Sequence, residues 1–210
     1  MIKVLSGRQR RENSALFRQA FRLRHEIFVK QRMWSIPSRL GEEEIDEYDV
    51  DSAIYVFDCD DSEKILASVR LTPTDQHSLI ADCFPHLIEN GQPPRSPHIY
   101  EGMRFLTTLD LSREEAAQAR LRILHAMVAW CVESRIAWIQ AVTDVEFFPT
   151  FVDMTIRTTP LGLAHPYAGG KSAPGGGECI AFRWPANRDV LEDLRDYADR
   201  KFQQQLAYVH

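Results

Sequence analysis

Apolar residues near the N-terminus recur at steps of three and four, which is the spacing of one face of an α-helix. They run from Leu16 to Phe28, after Asn13 or Ser14, either of which can cap the helix. Arg24 falls on this apolar face, so we expect its guanidinium to be buried. A buried guanidinium needs a counter-charge. The pattern therefore predicts either an ion pair that holds the helix or a ligand bound at Arg24.

Runs of β-branched and aromatic residues predict strands at residues 2–5, 53–59, 64–72, 98–107, 136–143 and 178–184. An Asp-Asp-Ser turn separates the second run from the third and predicts a hairpin, and the run at 136–143 is apolar enough for a central strand. Glu101 and Arg104 would point to opposite faces of a regular strand. A bulge at Gly102, or a position at the strand end, would be needed to bring them together.

Capping signals and apolar spacing predict further helices at about residues 112–134, 145–156 and 187–206. Ser112 and Glu115 have the capping-box spacing, and Asn187 can cap the last helix. Residues 30–44 and 168–177 lack periodicity and predict loops, the first of which could become ordered when a ligand binds. Because strands and helices interleave, we expect a mixed α/β sandwich.

Composition narrows the class of protein. A chain of 210 residues that is 44% apolar suits one globular domain. The net charge is -5 with both signs interspersed, which argues against nucleic-acid binding. The four cysteines lack metal-ligand spacing and indicate reduced thiols. No apolar stretch approaches the ~20 residues that span a bilayer, so we expect a soluble, cytoplasmic protein without a membrane partner.

The candidate chemistry lies in three arginines, three acids and one tryptophan: Arg24, Arg70, Arg104, Asp46, Asp49, Glu101 and Trp34. Arginine can bind a carboxylate through two hydrogen bonds, acids can bind a cation, and tryptophan can cover an apolar or cationic group. A carboxylate can also take a proton from an amine. The set therefore suits a small molecule that carries both a carboxylate and a cation.

Together with Phe28, these residues form an ordered series: Arg24, Phe28, Trp34, Asp46, Asp49, Arg70, Glu101 and Arg104. In residue type, order and approximate spacing the series resembles the signature of the acyl-homoserine lactone synthases, the LuxI-type autoinducer synthases. Eight matching positions are far more specific than one short motif. The resemblance covers roughly residues 1 to 160 and leaves residues 160–210 as a variable C-terminal portion.

The resemblance implies a single autoinducer-synthase domain over residues 1–210. Its fold would be a GNAT-like three-layer sandwich, in which helices flank a mixed, twisted sheet with a V-shaped cleft. It also implies a reaction: the amine of S-adenosylmethionine attacks an acyl thioester, and its carboxylate then closes a lactone and expels 5'-methylthioadenosine. S-adenosylmethionine and the acyl thioester would both be substrates, and we expect no cofactor and no metal.

The resemblance also assigns roles. Arg24, Phe28, Trp34, Asp46 and Asp49 would bind S-adenosylmethionine within an N-terminal lid at about residues 24–50. Three further residues, Arg70, Glu101 and Arg104, would organise the sheet end of the cleft, with Arg70 counted among the S-adenosylmethionine ligands. The catalytic residues would be Glu101, Asp49 and Arg104, with Glu101 the first candidate to accept the amine proton and Asp49 the second. For Arg70 and Arg104 the alternative is an ion-pair scaffold.

Two departures from the family pattern concern the acyl donor. Met103 replaces a common serine, so a polar 3-oxo acyl chain is disfavoured, although Thr143 could still donate to one. The segment 144–153 is acidic, which favours acyl-coenzyme A over acyl-carrier protein. Bulky residues predict a pocket for a short, branched or aryl acyl group. The predicted pocket comprises Met103, Phe105, Trp138, Thr143, Phe147, Phe148 and Phe151.

Two other classes of function compete with this hypothesis. A GNAT-type N-acetyltransferase acting on another amine would need a glycine-containing pantetheine-binding loop before the central helix, and residues 107–113 contain no glycine. A non-catalytic acyl- or nucleotide-binding module would not need the acids. Release of methylthioadenosine together with a lactone distinguishes the synthase from both.

Overall fold

The computed structural model describes residues 1–34, 36, 38–39, 42–154, 156–167 and 177–203, with the backbone alone at 38–39. Its strands are β1 Ile2–Ser6, β2 Ser38–Arg39, β3 Glu43–Glu44, β4 Ile54–Cys59, β5 Ile65–Pro73, β6 Ile99–Thr107, β7 Trp138–Asp144, β8 Thr159–Pro160, β9 His165–Tyr167 and β10 Gly177–Pro185. Within these residues the main sheet has eight strands in the order β1-β4-β5-β6-β7-β10-β8, and β9 also pairs with β10. The six predicted strands are confirmed.

The α-helices are α1 Ser14–Arg24, α2 Leu79–Cys83, α3 Arg113–Glu133, α4 Phe148–Asp153 and α5 Arg188–Phe202. Helix α1 packs Phe17 and Phe21 against Tyr55 and Phe57 on one face of the sheet. Helices α3 and α5 bury an aliphatic core against the opposite face, where Val56 lies. Alternation along β4 therefore separates two apolar layers. The mixed α/β sandwich is confirmed.

The sheet opens between its two parallel strands. β6 and β7 pair at only three positions, the last of which is Glu101 with Gln140. Beyond that position β6 continues to Thr107 and β7 to Asp144 without a ladder between them. The V-shaped cleft that the resemblance implies is therefore present.

A bulge does occur in β6, but not at Gly102. The β5–β6 register shifts so that Arg104 and Phe105 together lie opposite Val69 alone, between the pairs Arg70–Met103 and Ser68–Leu106. Arg104 accordingly has a positive φ of 55°. Of the two arrangements considered for bringing Glu101 and Arg104 together, a bulge at Gly102 and a position at the strand end, neither is observed, because the extra residue is inserted beside Arg104.

Three predicted segments differ in extent from the structure. The first helix continues beyond Arg24 as a π-helix, His25–Gln31, whose wider turns often occur at functional sites. The helix predicted at about residues 145–156 is only six residues long, Phe148–Asp153. The last one ends at Phe202, whereas its predicted end near Leu206 and most of the predicted glycine-rich loop lie outside the described residues.

The predicted loop at residues 30–44 contains a two-stranded ladder between β2 and β3. Over the described part of the chain, no helix combines the length and the apolar character needed to cross a membrane.

Candidate active site

Two arginines share one buried carboxylate. Arg24, the last residue of α1, donates from Nη1 and Nη2 to the oxygens of Asp49 at 2.7 and 2.9 Å. The Nη1 of Arg70, on β5, lies 2.7 Å from the Oδ1 of Asp49. Tyr55 donates its hydroxyl to the same oxygen at 2.8 Å. The side chain of Asp49 has no exposed surface, so it is fully occupied by protein partners.

Asp46 and Glu44 extend the network towards β6. Arg70 donates two hydrogen bonds to Asp46, at 2.6 and 3.0 Å. Arg104 donates to Glu44 at 3.1 and 2.9 Å and to Asp46 at 2.9 Å. Arg24 also contacts Glu44, through its Nε. The bulge at Arg104 thus directs its guanidinium to the acids of the preceding loop, and the predicted arginines and aspartates are brought together.

The electrostatics of the network follow from its pairing. Burial alone would raise the pKa of Asp49, but the charges of Arg24 and Arg70 outweigh it and hold that pKa well below its usual range. Glu44 behaves in the same way, because the charges of Arg24 and Arg104 lower its pKa despite burial. Both acids therefore stay ionised at neutral pH, as constituents of a scaffold.

Two aromatic residues lie over this network. Phe28 and Trp34 stack with ring centroids 4.8 Å apart and an interplanar angle of 20°. The guanidinium carbon of Arg104 lies 5.4 Å from the Phe28 ring and 5.9 Å from the Trp34 ring. The indole N–H of Trp34 is buried without a hydrogen-bond partner in the described structure. A ligand beside Trp34 could therefore stack on the aromatic ring and accept a hydrogen bond from the indole N–H.

Glu101 is separate from the arginine network. Its carboxylate accepts hydrogen bonds from the Ser78 hydroxyl at 2.8 Å, the Ile80 N–H at 2.9 Å and the Gln140 amide at 3.1 Å. Burial raises its pKa to about 7, although these hydrogen bonds oppose the shift. Glu101 and Arg104 thus bind different partners, and the expected convergence of their side chains is not observed.

A cavity of about 720 Å³ fills the opening between β6 and β7. Val142 and Asp144 alternate along β7 with Ala141 and Thr143, so the two pairs face opposite sides of the sheet. All four line the cavity, which therefore passes through the sheet. Its volume lies within the usual range for small-molecule sites.

The predicted site residues divide into those that reach the cavity and those that do not. The lining includes Phe28, Trp34, Asp46, Met103, Arg104, Phe105, Thr143, Phe147 and Phe151. Arg24, Asp49, Arg70 and Glu101 do not line it and are almost fully buried. The Sδ of Met103 lies 3.4 Å from Arg70 Nη2, so the thioether separates that arginine from the cavity.

Two residues predicted for the acyl pocket lie elsewhere. Trp138 is at the paired end of β7, where the guanidinium carbon of Arg183 lies 4.5 Å from its ring centroid. Phe148 packs edge-on against Phe182 in the core, with centroids 5.2 Å apart. Neither residue lines the cavity, so their predicted placement is wrong. Trp138 lies in the part of β7 that pairs with β6, and the short helix α4 directs Phe148 towards the core.

A link across the mouth of the cavity was not predicted. Arg32, just after the π-helix, donates to Asp144 at 2.8 Å, and Tyr167 donates to the other oxygen of Asp144. The guanidinium carbon of Arg32 also lies 5.0 Å from the Phe147 ring and 5.6 Å from the Trp34 ring. This link joins the predicted lid segment to the far side of the cleft.

Glu44 was also missed, although its side chain is wholly buried. It is the last of three consecutive glutamates, and no local signal distinguishes it from the two before it. Gln140 and Ser78 are equally ordinary in the sequence. Gln140 becomes a partner of Glu101 because β6 and β7 pair at that position, and Ser78 because the N-terminus of α2 lies against Glu101.

A mixed sheet that is split between two parallel strands, with a cavity through the split, defines a GNAT-like acyltransferase fold. The family described as autoinducer synthase matches residues 8–152. An isovaleryl-homoserine lactone synthase of Bradyrhizobium diazoefficiens is 31% identical over 163 residues, which cover 78% of this chain and 73% of that protein. An acyl-homoserine-lactone synthase of Ralstonia nicotianae is 34% identical over 161 residues, covering 75% and 76%.

The fold has the same relatives. The solved structure of BjaI, a CoA-dependent acyl-homoserine lactone synthase with S-adenosylmethionine and isopentyl-CoA, superimposes with a TM-score of 0.82. It is 28% identical, and the alignment covers 93% of this chain and 88% of that one. The chain belongs to the autoinducer synthase family, and it is therefore an acyl-transferring enzyme. The resemblance seen in the signature residues is confirmed.

Proposed function

We propose that this enzyme makes an acyl-homoserine lactone from S-adenosylmethionine and a short, branched acyl-coenzyme A, and that it releases 5'-methylthioadenosine. The observation that carries the proposal is the cavity through the sheet, because it joins a charged, aromatic-lined face to an apolar one. Two reactants can therefore meet at the opening between β6 and β7. The isovaleryl and isopentyl groups in the names of the relatives support a branched donor.

The proposed reaction has two steps. The amine nitrogen attacks the thioester carbonyl carbon; the C–N bond forms, the C–S bond breaks and the thiolate of coenzyme A leaves. The carboxylate oxygen then attacks the carbon next to the sulfonium; a C–O bond forms, the C–S bond breaks and neutral methylthioadenosine leaves. Since a sulfonium is a good leaving group, the second step needs mainly alignment of its reacting atoms.

On the charged face, we assign the cationic part of S-adenosylmethionine to Asp46 and Trp34, which line the cavity, with Phe28 stacked against the indole. Arg24 and Asp49 lie behind this surface and fix the position of the loop that carries Asp46. The predicted ligands of S-adenosylmethionine thus divide into residues that touch it and residues that position those residues.

We propose roles for Glu101 and Asp49 other than that of proton acceptor. Neither lines the cavity, and the pKa of Asp49 is too low for it to accept a proton near neutral pH. We assign both to positioning: Asp49 holds the arginines, and Glu101 holds Ser78 and Ile80 at the start of α2. The amine then loses one proton to solvent before it attacks and the second to the departing thiolate. Arg104, which does line the cavity, remains a candidate for direct contact with substrate.

On the apolar face, Phe105 and Phe151 lie with ring centroids 5.9 Å apart beside Thr143 and Ala141. Their rings limit the length of an acyl chain, which supports a short, branched or aryl group. The exposed ring of Phe147 lies at the mouth, near Arg32.

The test is a reaction of the purified enzyme with S-adenosylmethionine and isovaleryl-coenzyme A, analysed by mass spectrometry. We expect equal amounts of methylthioadenosine and isovaleryl-homoserine lactone, and slower turnover with octanoyl-coenzyme A or an isovaleryl-carrier protein. Amide formation with an unrelated amine, without methylthioadenosine, would favour the N-acetyltransferase alternative. Binding of both compounds without turnover would favour the non-catalytic module.

A matched pair of variants tests the acyl site. Phe151→Ala enlarges the cavity and is expected to raise the rate with octanoyl-coenzyme A relative to isovaleryl-coenzyme A. Phe148→Ala removes a similarly half-buried ring of the same helix that lies outside the cavity, so the ratio of rates should not change. Equal changes in both variants would count against the assigned acyl side.

We further propose that the enzyme is cytoplasmic, acts as a single domain over residues 1–210, and needs no metal or cofactor. Its four cysteines are free, which supports a reducing compartment. Both reaction steps are polar displacements that the two substrates can complete, which is consistent with chemistry that uses no cofactor.

A further inference from the structure

Three carboxylates line the cavity between β6 and β7, among the residues that the structure describes: those of Asp46, Glu47 and Asp144. Two arginines pair with Asp46, and a third pairs with Asp144. Glu47 is exposed, and its carboxylate forms no ion pair or hydrogen bond with any described residue. Of these three acids, Glu47 therefore has the charge that the protein leaves unbalanced.

The backbone that carries Glu47 is held in place although the side chain is not. The Asp49 N–H donates to the Asp46 carbonyl at 3.2 Å, which makes residues 46–49 a β-turn with Glu47 at its second position. The N–H of Tyr48, whose side chain is buried, donates to the Asp46 carboxylate at 2.9 Å. Glu47 thus lies at the tip of an ordered turn, so a ligand can bind its carboxylate without ordering the backbone first.

The carboxylate of Asp46 has no room for a further hydrogen bond. Arg70 donates to both of its oxygens, at 2.6 and 3.0 Å. The Tyr48 N–H and Arg104 donate to them as well, each at 2.9 Å. Because a carboxylate has about four lone-pair sites, those of Asp46 are all used. Asp46 can attract a cation by its charge, but it cannot accept a hydrogen bond from an N–H group of that cation.

S-adenosylmethionine carries two cationic groups of different chemistry. Its sulfonium has no hydrogen to donate and suits an aromatic face, such as that of Trp34, beside a negative charge. Its ammonium is rich in N–H donors, which need acceptors when the group leaves bulk water. Glu47 lines the cavity next to Asp46 in the chain and has an acceptor to offer.

We propose that Glu47 binds the ammonium of S-adenosylmethionine, while the sulfonium remains assigned to Trp34 and Asp46. The inference rests on the proposed function, because it takes S-adenosylmethionine as the ligand of the charged face. Acylation converts the ammonium into a neutral amide, and methylthioadenosine has no amine. The contact with Glu47 is therefore made by the substrate and by neither product, so Glu47 favours substrate binding over product binding.

Asp144 is the competing acceptor for the ammonium. Within the described structure each of its oxygens accepts one hydrogen bond, from Arg32 and from Tyr167, so lone-pair sites are left. An ammonium at Asp144 would, however, lie beside the guanidinium of Arg32, and the two positive charges would repel each other. Glu47 has no described cation within ion-pair distance.

The experiment measures by calorimetric titration how Glu47→Gln changes the binding of three nucleosides. S-adenosylmethionine has the ammonium and the sulfonium, S-adenosylhomocysteine keeps the ammonium but has a neutral sulfur, and methylthioadenosine has neither cation. Glu47→Gln should raise the Kd of the first two about 10-fold and leave that of methylthioadenosine unchanged. Glu47→Asp keeps the charge and should restore part of the affinity. Asp51→Asn, which alters an exposed acid outside the cavity lining, is the matched control and should bind all three normally.

Steady-state kinetics of lactone formation give a second readout. In Glu47→Gln the KM for S-adenosylmethionine should rise about 10-fold, and kcat should not fall, because the contact is made before the amine reacts. The KM for isovaleryl-coenzyme A should stay the same. The inhibition constant of methylthioadenosine, divided by the KM for S-adenosylmethionine, should fall about 10-fold, because product binding is unchanged.

Three results of the titration would overturn the inference. Equal losses of affinity for all three ligands would show a general distortion of the turn, a loss confined to S-adenosylmethionine would place Glu47 at the sulfonium, and unchanged Kd values would remove Glu47 from the site. A wild type that binds S-adenosylmethionine but forms no lactone would refute the proposed reaction, and the titrations would still decide the role of Glu47. A wild type that binds none of the three nucleosides would refute both.

Discussion

Two sets of arginines flank the same cavity and differ in what balances their charge. Arg24, Arg70 and Arg104 are buried and share three acids. Arg113 and Arg120 line a second cavity of about 460 Å³ next to the first, and no described residue forms an ion pair with either of them. An arginine that already has a carboxylate acts mainly within the protein, whereas an unpaired one has its charge available for a ligand. By this criterion Arg24 and Arg70 belong to the scaffold, whereas Arg104 is paired and also lines the cavity.

The largest effect is expected from removing a shared acid of the paired set. Asp49→Asn should lower the free energy of unfolding by about 3–5 kcal/mol, because Arg24 and Arg70 would stay buried with too little counter-charge. Urea unfolding measures this change. The control is Asp110→Asn, whose exposed pair with Lys64 is screened by water and should contribute little to stability. Similar losses in the two variants would show that burial does not distinguish them.

Glu101 extends the comparison, because it is a buried acid that forms no ion pair with a described arginine. Its pKa is raised from 4.5 to about 7, so the folded state binds its proton more tightly than the unfolded state does. Its contribution to the free energy of unfolding is therefore full below about pH 4.5 and is lost as the pH rises to 7.

Glu101→Gln removes this titration. The free energy of unfolding of the wild type minus that of the variant should fall by up to about 3 kcal/mol between pH 4.5 and 7.5, since each pKa unit corresponds to ~1.4 kcal/mol. Denaturant unfolding at several pH values measures the difference, in which the other titrating groups cancel. A difference that is constant with pH would contradict the assigned environment of Glu101.

A partly exposed pair should have an intermediate effect. Arg32→Gln breaks the link to Asp144 across the cavity mouth, and it should raise the KM for S-adenosylmethionine about 3- to 5-fold while lowering stability by no more than about 1 kcal/mol. Steady-state kinetics measure the first change. Lys30→Gln, which breaks an exposed pair with Glu26 on the same segment, is the control. If both variants have the same KM, the link has no role in ligand retention.

The smallest change in the free energy of unfolding is expected for Arg113 and Arg120, which have no ion-pair partner among the described residues. Arg120→Gln should change the free energy of unfolding by less than about 0.5 kcal/mol or raise it slightly, because the protein gains nothing from a partly buried cation that lacks a partner. Arg70→Gln, its counterpart in the paired set, should lose several kcal/mol. Equal losses in a denaturant titration would contradict the division between the two sets.

Local signals predicted those features of the fold that depend on neighbours in the sequence. The Ser112–Glu115 capping box forms as expected, at the start of the 21-residue helix α3. The hairpin of β4 and β5 also forms, because a short turn joins two strands whose side chains alternate between two apolar layers. Arg24 is buried for the reason given by its position on an apolar helix face.

Contacts between segments that are far apart in the chain could not be predicted from local signals. Trp138 and Phe148 looked suitable for an acyl pocket by size alone, but the position at which β6 and β7 stop pairing excludes one, and the turn of α4 excludes the other. Glycine would allow a bulge at Gly102, but the bulge forms at Arg104, where the register between β5 and β6 shifts. Neither the size of a side chain nor its flexibility determines the register between two strands.

The sequence alone determined the mixed α/β class, the family and the group of arginines, acids and tryptophan, because residue type and order are local properties of the chain. Only the tertiary structure decided which charges neutralise one another, that Glu44 belongs with Arg24 and Arg104, and that Glu101 is enclosed. It also revealed the second cavity with its unpaired cations. The physical reason is that burial and Coulomb energy depend on distances through space, which side chains far apart in the chain acquire only when the sheet assembles.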